Sequence, residues 1–350
     1  MIKLIKAILI IFIGTACSSD KDTYIPIENT ELDFIIPQNF PDPVYNIKLN
    51  PPTEKGVELG KKLFYDGRLS SDGVISCGFC HIQDFAFTHH THIVSHGVGG
   101  ALGTRNAQPL HNLAFMKEFT WDGAVAHLDL QPIVPITAEV EMNETVGGIL
   151  KKLEEKPEYV KLFAQAFSDQ KINAENMFRA LSQFMVLMIS ANTKYDKIER
   201  NEGSVFTEAE AAGFDLFTSK CASCHSGTLF TDQSYRNNGL PVDTLYNDIG
   251  RKRVTGLDQD FYKFKVPTLR NIELTFPYMH DGRFKTLKDV LDHYTDGMVD
   301  SETLDPIFRN STNTTAIGIP MTEEEKELII SFLKTLTDDD YINDSRFSEF

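Results

Sequence analysis

The pentapeptides Cys77-Gly78-Phe79-Cys80-His81 and Cys221-Ala222-Ser223-Cys224-His225 constrain this chain more than any other feature. Each is Cys-x-x-Cys-His, the pattern that carries a covalently attached c-type haem: two thiols add to the vinyl groups and the adjacent imidazole ligates the iron. A zinc site built from two Cys-x-x-Cys pairs, or a redox dithiol, would use the same cysteines. The histidines discriminate. With 10 His in 350 residues, their chance placement after both pairs is on the order of one in a thousand. Two haem c groups are therefore expected, one on Cys77, Cys80 and His81 and one on Cys221, Cys224 and His225. They use every cysteine except Cys17, so no disulfide is expected.

Haem attachment of this kind is made outside the cytoplasm, and the N-terminus agrees. Residues 1–16 have a basic start (Lys3, Lys6), a short apolar stretch and small residues before Cys17, which reads as a signal peptide too short to span a membrane. The pattern resembles a bacterial lipoprotein signal with Cys17 as the lipidated first residue; a plain secretory signal is the alternative. Either exports the chain, and the expected location is the periplasm, with a lipid anchor as the sole membrane attachment. Loss of the leader lowers 34 basic residues to 32 against 50 acidic ones, a charge of −18. That sign excludes clamping a nucleic-acid backbone.

Residues 17–52 are polar and then Pro-rich, an extended tether and strap. From residue 53 the periodicity is helical: residues 53–65 and 174–195 place apolar side chains at helical spacing, and long alternating strands are absent. Thr207 with Glu210 and Thr322 with Glu325 form capping boxes. A Gly-x-x-Leu-Phe helix precedes each cysteine cluster (Gly60, Leu63, Phe64 and Gly213, Leu216, Phe217), so the chain reads as an internal repeat. Residues 192–206 read as the link between the copies.

Around these motifs the chain resembles the bacterial dihaem cytochrome c peroxidases, a family that includes the methylamine-utilisation dihaem oxidase. The resemblance rests on residues 63–81 (LFYDGRLSSDGVISCGFCH), 95–106 (SHGVGGALGTRN), 121–123 (WDG), 140–143 (VEMN), 267–282 (PTLRNIELTFPYMHDG) and 332–337 (FLKTLT), in order along residues 53–337. It implies an all-α fold of two cytochrome-c-like domains packed face to face, over residues 53–200 with the peroxidatic haem and 201–350 with the electron-transfer haem, a C-terminal helix and a tail. It implies Glu141 as the acid–base residue over the first haem, His96 as a distal ligand to the first iron at rest, and Trp121 between the haems. His89, His90 and His92 are substitutes for His96 that the spacing leaves open.

For the second iron the resemblance implies a sixth ligand at Tyr294, with Met298 the alternative. A hard tyrosinate stabilises ferric iron and a soft thioether ferrous iron. Asn106, Thr275 and Pro277 match positions whose oxygens hold a calcium ion, and His280 matches a residue that supports the haem interface. The function implied is reduction of hydrogen peroxide to water, with electrons from a small cytochrome c or cupredoxin. The alternatives are a dihaem oxidase acting on a protein or organic substrate through a high-valent haem pair, and a non-catalytic dihaem electron carrier. A homodimer is an assembly the resemblance leaves open.

Overall fold

The computed structural model describes residues 29–309 and 317–349. The signal peptide and Cys17 lie outside the described residues. Among those described, no helix is long and apolar enough to cross a membrane.

Two apolar cores organise the chain, and each is built on one copy of the repeat. In the first half, helix α1 (Glu54–Phe64) is capped by Thr53, whose Oγ1 accepts the Gly56 N–H, and it buries Leu59, Leu63 and Phe64. Residues Cys77–Cys80 form the single turn α2, capped by Ser76. The short α3 (Ile133–Thr137), α4 (Val146–Glu154), α5 (Pro157–Ala166) and α6 (Ala174–Val186) follow, with α6 packed along α1.

Helix α6 stops nine residues short of the sequence expectation. The apolar period continues through Met188, but a second helix, α7 (Lys194–Glu199), starts at Thr193, whose side chain and Asp196 form a capping box. Asp196 is fully buried and takes a bidentate pair from Arg270, 2.7 and 2.8 Å. A continuous helix would not bring Asp196 into that pair.

In the second half, α8 (Glu208–Lys220) and α11 (Glu323–Lys334) carry the capping boxes read at Thr207 and Thr322, and they pack on each other as α1 does on α6. The short α9 (Lys252–Thr255) and α10 (Leu287–Asp292) lie between them in sequence, and α12 (Asp339–Ile342) follows. The repeat extends to the helix crossings. A Cβ on Gly60 would collide with the Ala180 carbonyl and press on Phe184; one on Gly213 would collide with the Leu328 carbonyl and press on Phe332. Both glycines let two backbones approach closely, each over a Phe one turn later on the partner helix. Only one ladder of regular strands is described, β1 (Tyr235–Arg236) antiparallel to β2 (Phe264–Lys265). The protein is helix-rich.

Residues 29–52 run extended around one short 3-10 turn, Ile47–Leu49, and contribute Phe40 and Tyr45 to the first core.

Candidate functional site: two cavities sharing a tryptophan

Each Cys-x-x-Cys-His motif opens onto its own cavity. The first, about 320 Å³, is lined by Cys77, Cys80 and His81, and also by His96, Trp121 and Glu141. The second, about 570 Å³, is lined by Cys221, Cys224, His225 and Tyr294. Trp121, Asn106 and Ala107 line both, whereas Glu141 lines only the first.

The donors present fit haem c, since two cysteines and the adjacent histidine line each cavity. None of the four motif cysteines forms a disulfide. Burial pushes Cys77 and Cys221 up to about 12, and burial with the nearby Glu141 charge pushes Cys80 to about 11. A thioether to haem requires no charge on sulfur, so the burial of these thiols is compatible with it. Burial also lowers His81, to about 4, and His225, so both imidazoles are neutral and competent to ligate iron. Their Nδ1 atoms face backbone oxygens, His81 to Phe87 at 2.8 Å and His225 to Phe230 at 3.2 Å, so Nε2 is the nitrogen that would hold a haem iron.

Over the first cavity, the Ser95 hydroxyl donates to Glu141 Oε1 at 2.7 Å and fixes the carboxylate. The Glu141 carbonyl accepts the Val98 N–H, so residues 95–98 and 138–142 form one unit. His96 belongs to a cluster of three rings: it meets His92 edge-on at 4.2 Å, His92 stacks on His89 at 4.1 Å, and His92 Nδ1 is 3.2 Å from His96 Nε2. His90 instead stacks on Phe85.

Trp121 is held at both ends. Its indole N–H donates to the Asn106 carbonyl at 2.9 Å, and its carbonyl accepts the Lys265 N–H of β2 at 2.8 Å. The next residue, Asp122, is fully buried and joins Arg105 and Arg253, while Arg105 also makes a two-pronged contact with Asp248. Burial alone would raise the Asp122 carboxyl; the Arg105 guanidinium, the Thr120 hydroxyl and Arg253 together outweigh it and hold the group at about 2. This network joins the two halves next to the shared tryptophan. Its members Arg105 and Asp122 stand inside the GTRN and WDG motifs, but nothing in the sequence pairs them with Asp248 and Arg253.

In the second cavity, Asn238 Nδ2 lies 3.5 Å from Tyr294 Oη and 3.6 Å from Met279 Sδ. Burial pushes the Tyr294 phenol up to about 12. Met298 does not line the cavity; it packs with Leu304 and Phe308 in a separate cluster. Asn106, Thr275 and Pro277 line the second cavity together. Asn106 Nδ2 donates to the His92 and Ile93 carbonyls, which leaves Oδ1 as the oxygen it offers a cation. His280 lines neither cavity. It stacks on Phe264 and its carbonyl accepts the Asn106 N–H.

Comparison with known proteins gives concordant results. A model of the di-haem cytochrome c peroxidase family matches residues 54–204. The chain is 36% identical over 310 residues to methylamine utilization protein MauG of Methylorubrum extorquens, covering 85% of this chain and 82% of that protein. It is 33% identical over 302 residues to cytochrome c551 peroxidase of Nitrosomonas europaea, covering 85% of each. The crystal structure of a MauG-like protein associated with microbial copper homeostasis superposes with a TM-score of 0.80 at 31% identity, over 91% of this chain and 99% of that one.

Proposed function

We infer, from the premise that this chain belongs to the di-haem cytochrome c peroxidase family, that it is an oxidoreductase reducing hydrogen peroxide to water with electrons from a redox protein. Two haem c groups are its cofactors. Bound haem supplies one-electron iron chemistry at each site, and the chain's own residues determine how the two sites differ. We assign Cys77, Cys80 and His81 to the peroxidatic haem and Cys221, Cys224 and His225 to the electron-receiving one, in two haem domains facing one another. The observation that carries this assignment is the asymmetry around Trp121, which borders both cavities while Glu141 borders one.

Glu141 is the acid–base residue. A carboxylate fixed by Ser95 can accept a proton from one peroxide oxygen and return it to the other, so that water departs. Trp121 is the relay between cavities; its two backbone anchors support a fixed orientation. His96 is the resting distal ligand, and His92 Nδ1 is the partner that holds its Nε2 when it is off the iron. Tyr294 is the sixth ligand in the second cavity, a reading supported by Met298 being outside it. A calcium ion on oxygens of Asn106, Thr275 and Pro277 would brace the same wall. Export with a lipid on Cys17 completes the reading, and the acidic chain favours a basic donor protein.

One observation favours a second reading. A tyrosine rather than a methionine facing the second cavity suits an oxidase acting on a protein or organic substrate, because a hard oxygen ligand stabilises oxidised iron. Purified holoprotein given peroxide and a reduced small cytochrome or dye separates the two. Donor oxidation coupled to peroxide loss supports the peroxidase; a long-lived oxidised state that ignores such donors supports the oxidase.

A further inference from the structure

Both haem-binding histidines are held by one local device. The carbonyl facing Nδ1 belongs to a phenylalanine in the left-handed region, Phe87 at φ 61° and Phe230 at φ 52°. Ala86, at φ 51°, extends the unusual turn beside Phe87. A side-chain-bearing residue stays in that region only where its surroundings over-determine it. The surroundings differ between the two sites. Phe230 is enclosed by Tyr195, Phe217 and Phe332, all in contact with its own core. Phe87 meets Phe64 from its own half, but its other ring neighbours are Tyr341 and Phe347, at 5.7 and 6.5 Å.

Those two rings come from residues 339–349, which follow the last long helix of the second half and return across the first. Both are almost completely buried, at 3% and 2% exposed. The same segment is hydrogen-bonded at two points beside the first Cys-x-x-Cys-His motif. Gln83 Nε2, two residues beyond His81, donates to the Asp344 carbonyl at 2.8 Å. Tyr65 Oη donates to the Phe347 carbonyl at 2.6 Å, and the Tyr65 ring lies against Gly78, between the two cysteines.

We propose that residues 339–349 are a clasp that positions His81, with Tyr341 and Phe347 as positioning residues acting through the Phe87 carbonyl. A well-placed carbonyl strengthens Nδ1–H donation and makes the imidazole a more basic ligand, which stabilises the oxidised iron. The clasp lets the second half set the ligand strength at the first cavity. The proposal rests on the part of the functional reading that places a haem on Cys77, Cys80 and His81 in the first cavity, whichever cavity reduces peroxide.

The test uses full-length holoprotein carrying Phe347→Ala, with Phe347→Leu as the conservative control. The readouts are the reduction potential of each haem and the iron–histidine stretching frequency of the reduced first haem. Phe347→Ala should raise the first potential by the equivalent of a tenfold change in its reduction equilibrium, 59 mV for one electron. It should lower the stretching frequency and leave the second haem unchanged, and Phe347→Leu should restore most of both values. Tyr65→Phe, which removes a single hydrogen bond, gives a smaller shift in the same direction and serves if the alanine variant does not fold. No shift at the first haem with either variant, or equal shifts at both haems, overturns the clasp. If the first haem shifts as stated but peroxide turnover proves to reside at the second cavity, the clasp stands and the functional reading falls.

Discussion

The two halves start from the same local instructions and end with different sites. Each has a Gly-x-x-Leu-Phe helix crossing a partner at the glycine, a Cys-x-x-Cys-His turn, and a histidine oriented by a left-handed phenylalanine. The first then receives Glu141, Ser95 and His96 over its cavity and distant residues 339–349 beneath it; the second receives Tyr294 and relies on its own aromatic core. Haem attachment is thus a local property, repeated because it is covalent and short-range. The side chains that distinguish the two cavities arrive from elsewhere in the chain.

The strongest way to break this comparison is at Glu141. Glu141→Gln keeps the Ser95 contact but cannot take a proton, and peroxide turnover should fall by about 10²- to 10⁴-fold while both haem spectra remain intact. Steady-state peroxide consumption measures it, and unchanged turnover would remove the distinction between the cavities. Trp121→Phe should come next. It should slow turnover driven by an external donor while sparing the reaction of pre-reduced protein with peroxide, which stopped-flow mixing resolves.

The shared part of the plan is tested at the crossings. Gly60→Ala and Gly213→Ala each force a methyl into a backbone carbonyl, and each should destabilise its half by about 1–3 kcal/mol. Thermal unfolding followed at both haem bands should show comparable losses; a loss at one glycine alone would mean that the repeat is not structural.

The smallest effect concerns the joint between halves. The Asp122 carboxyl is held at about 2 against an ordinary 3.8, so its stabilisation is fully present above pH 4 and is lost as pH falls toward 2. The loss amounts to about 1–2 kcal/mol after solvent screening. Asp122→Asn should flatten that part of the acid-unfolding curve, and an unaltered curve would show that the Arg105–Asp122 contact is energetically idle.

What was legible in the sequence follows the same division. The haem motifs, the Gly-x-x-Leu-Phe repeat and the capping boxes at Thr207 and Thr322 were readable, because each pattern is defined by residues a few positions apart, although the helices that cross at Gly60 and Gly213 come from far along the chain. The end of α6 was not, because apolar spacing ran on past Val186 while the decisive pair, Asp196 with Arg270, is separated by 74 residues. Arg105 and Asp248 are 143 residues apart, and Tyr65 and Phe347 are 282 apart; no local pattern announces such pairs. The readings of Glu141, Trp121 and Tyr294 came from family resemblance, since a lone glutamate, tryptophan or tyrosine has no spacing signal of its own; the structure places all three on the cavity walls.

The most direct test of the central claim is the stoichiometry of the purified holoprotein given hydrogen peroxide and a reduced small cytochrome c. Two donor molecules should be oxidised for each peroxide consumed, and His81→Ala should abolish catalysis. Peroxide consumption without donor oxidation, or full activity in the His81→Ala protein, would contradict that claim.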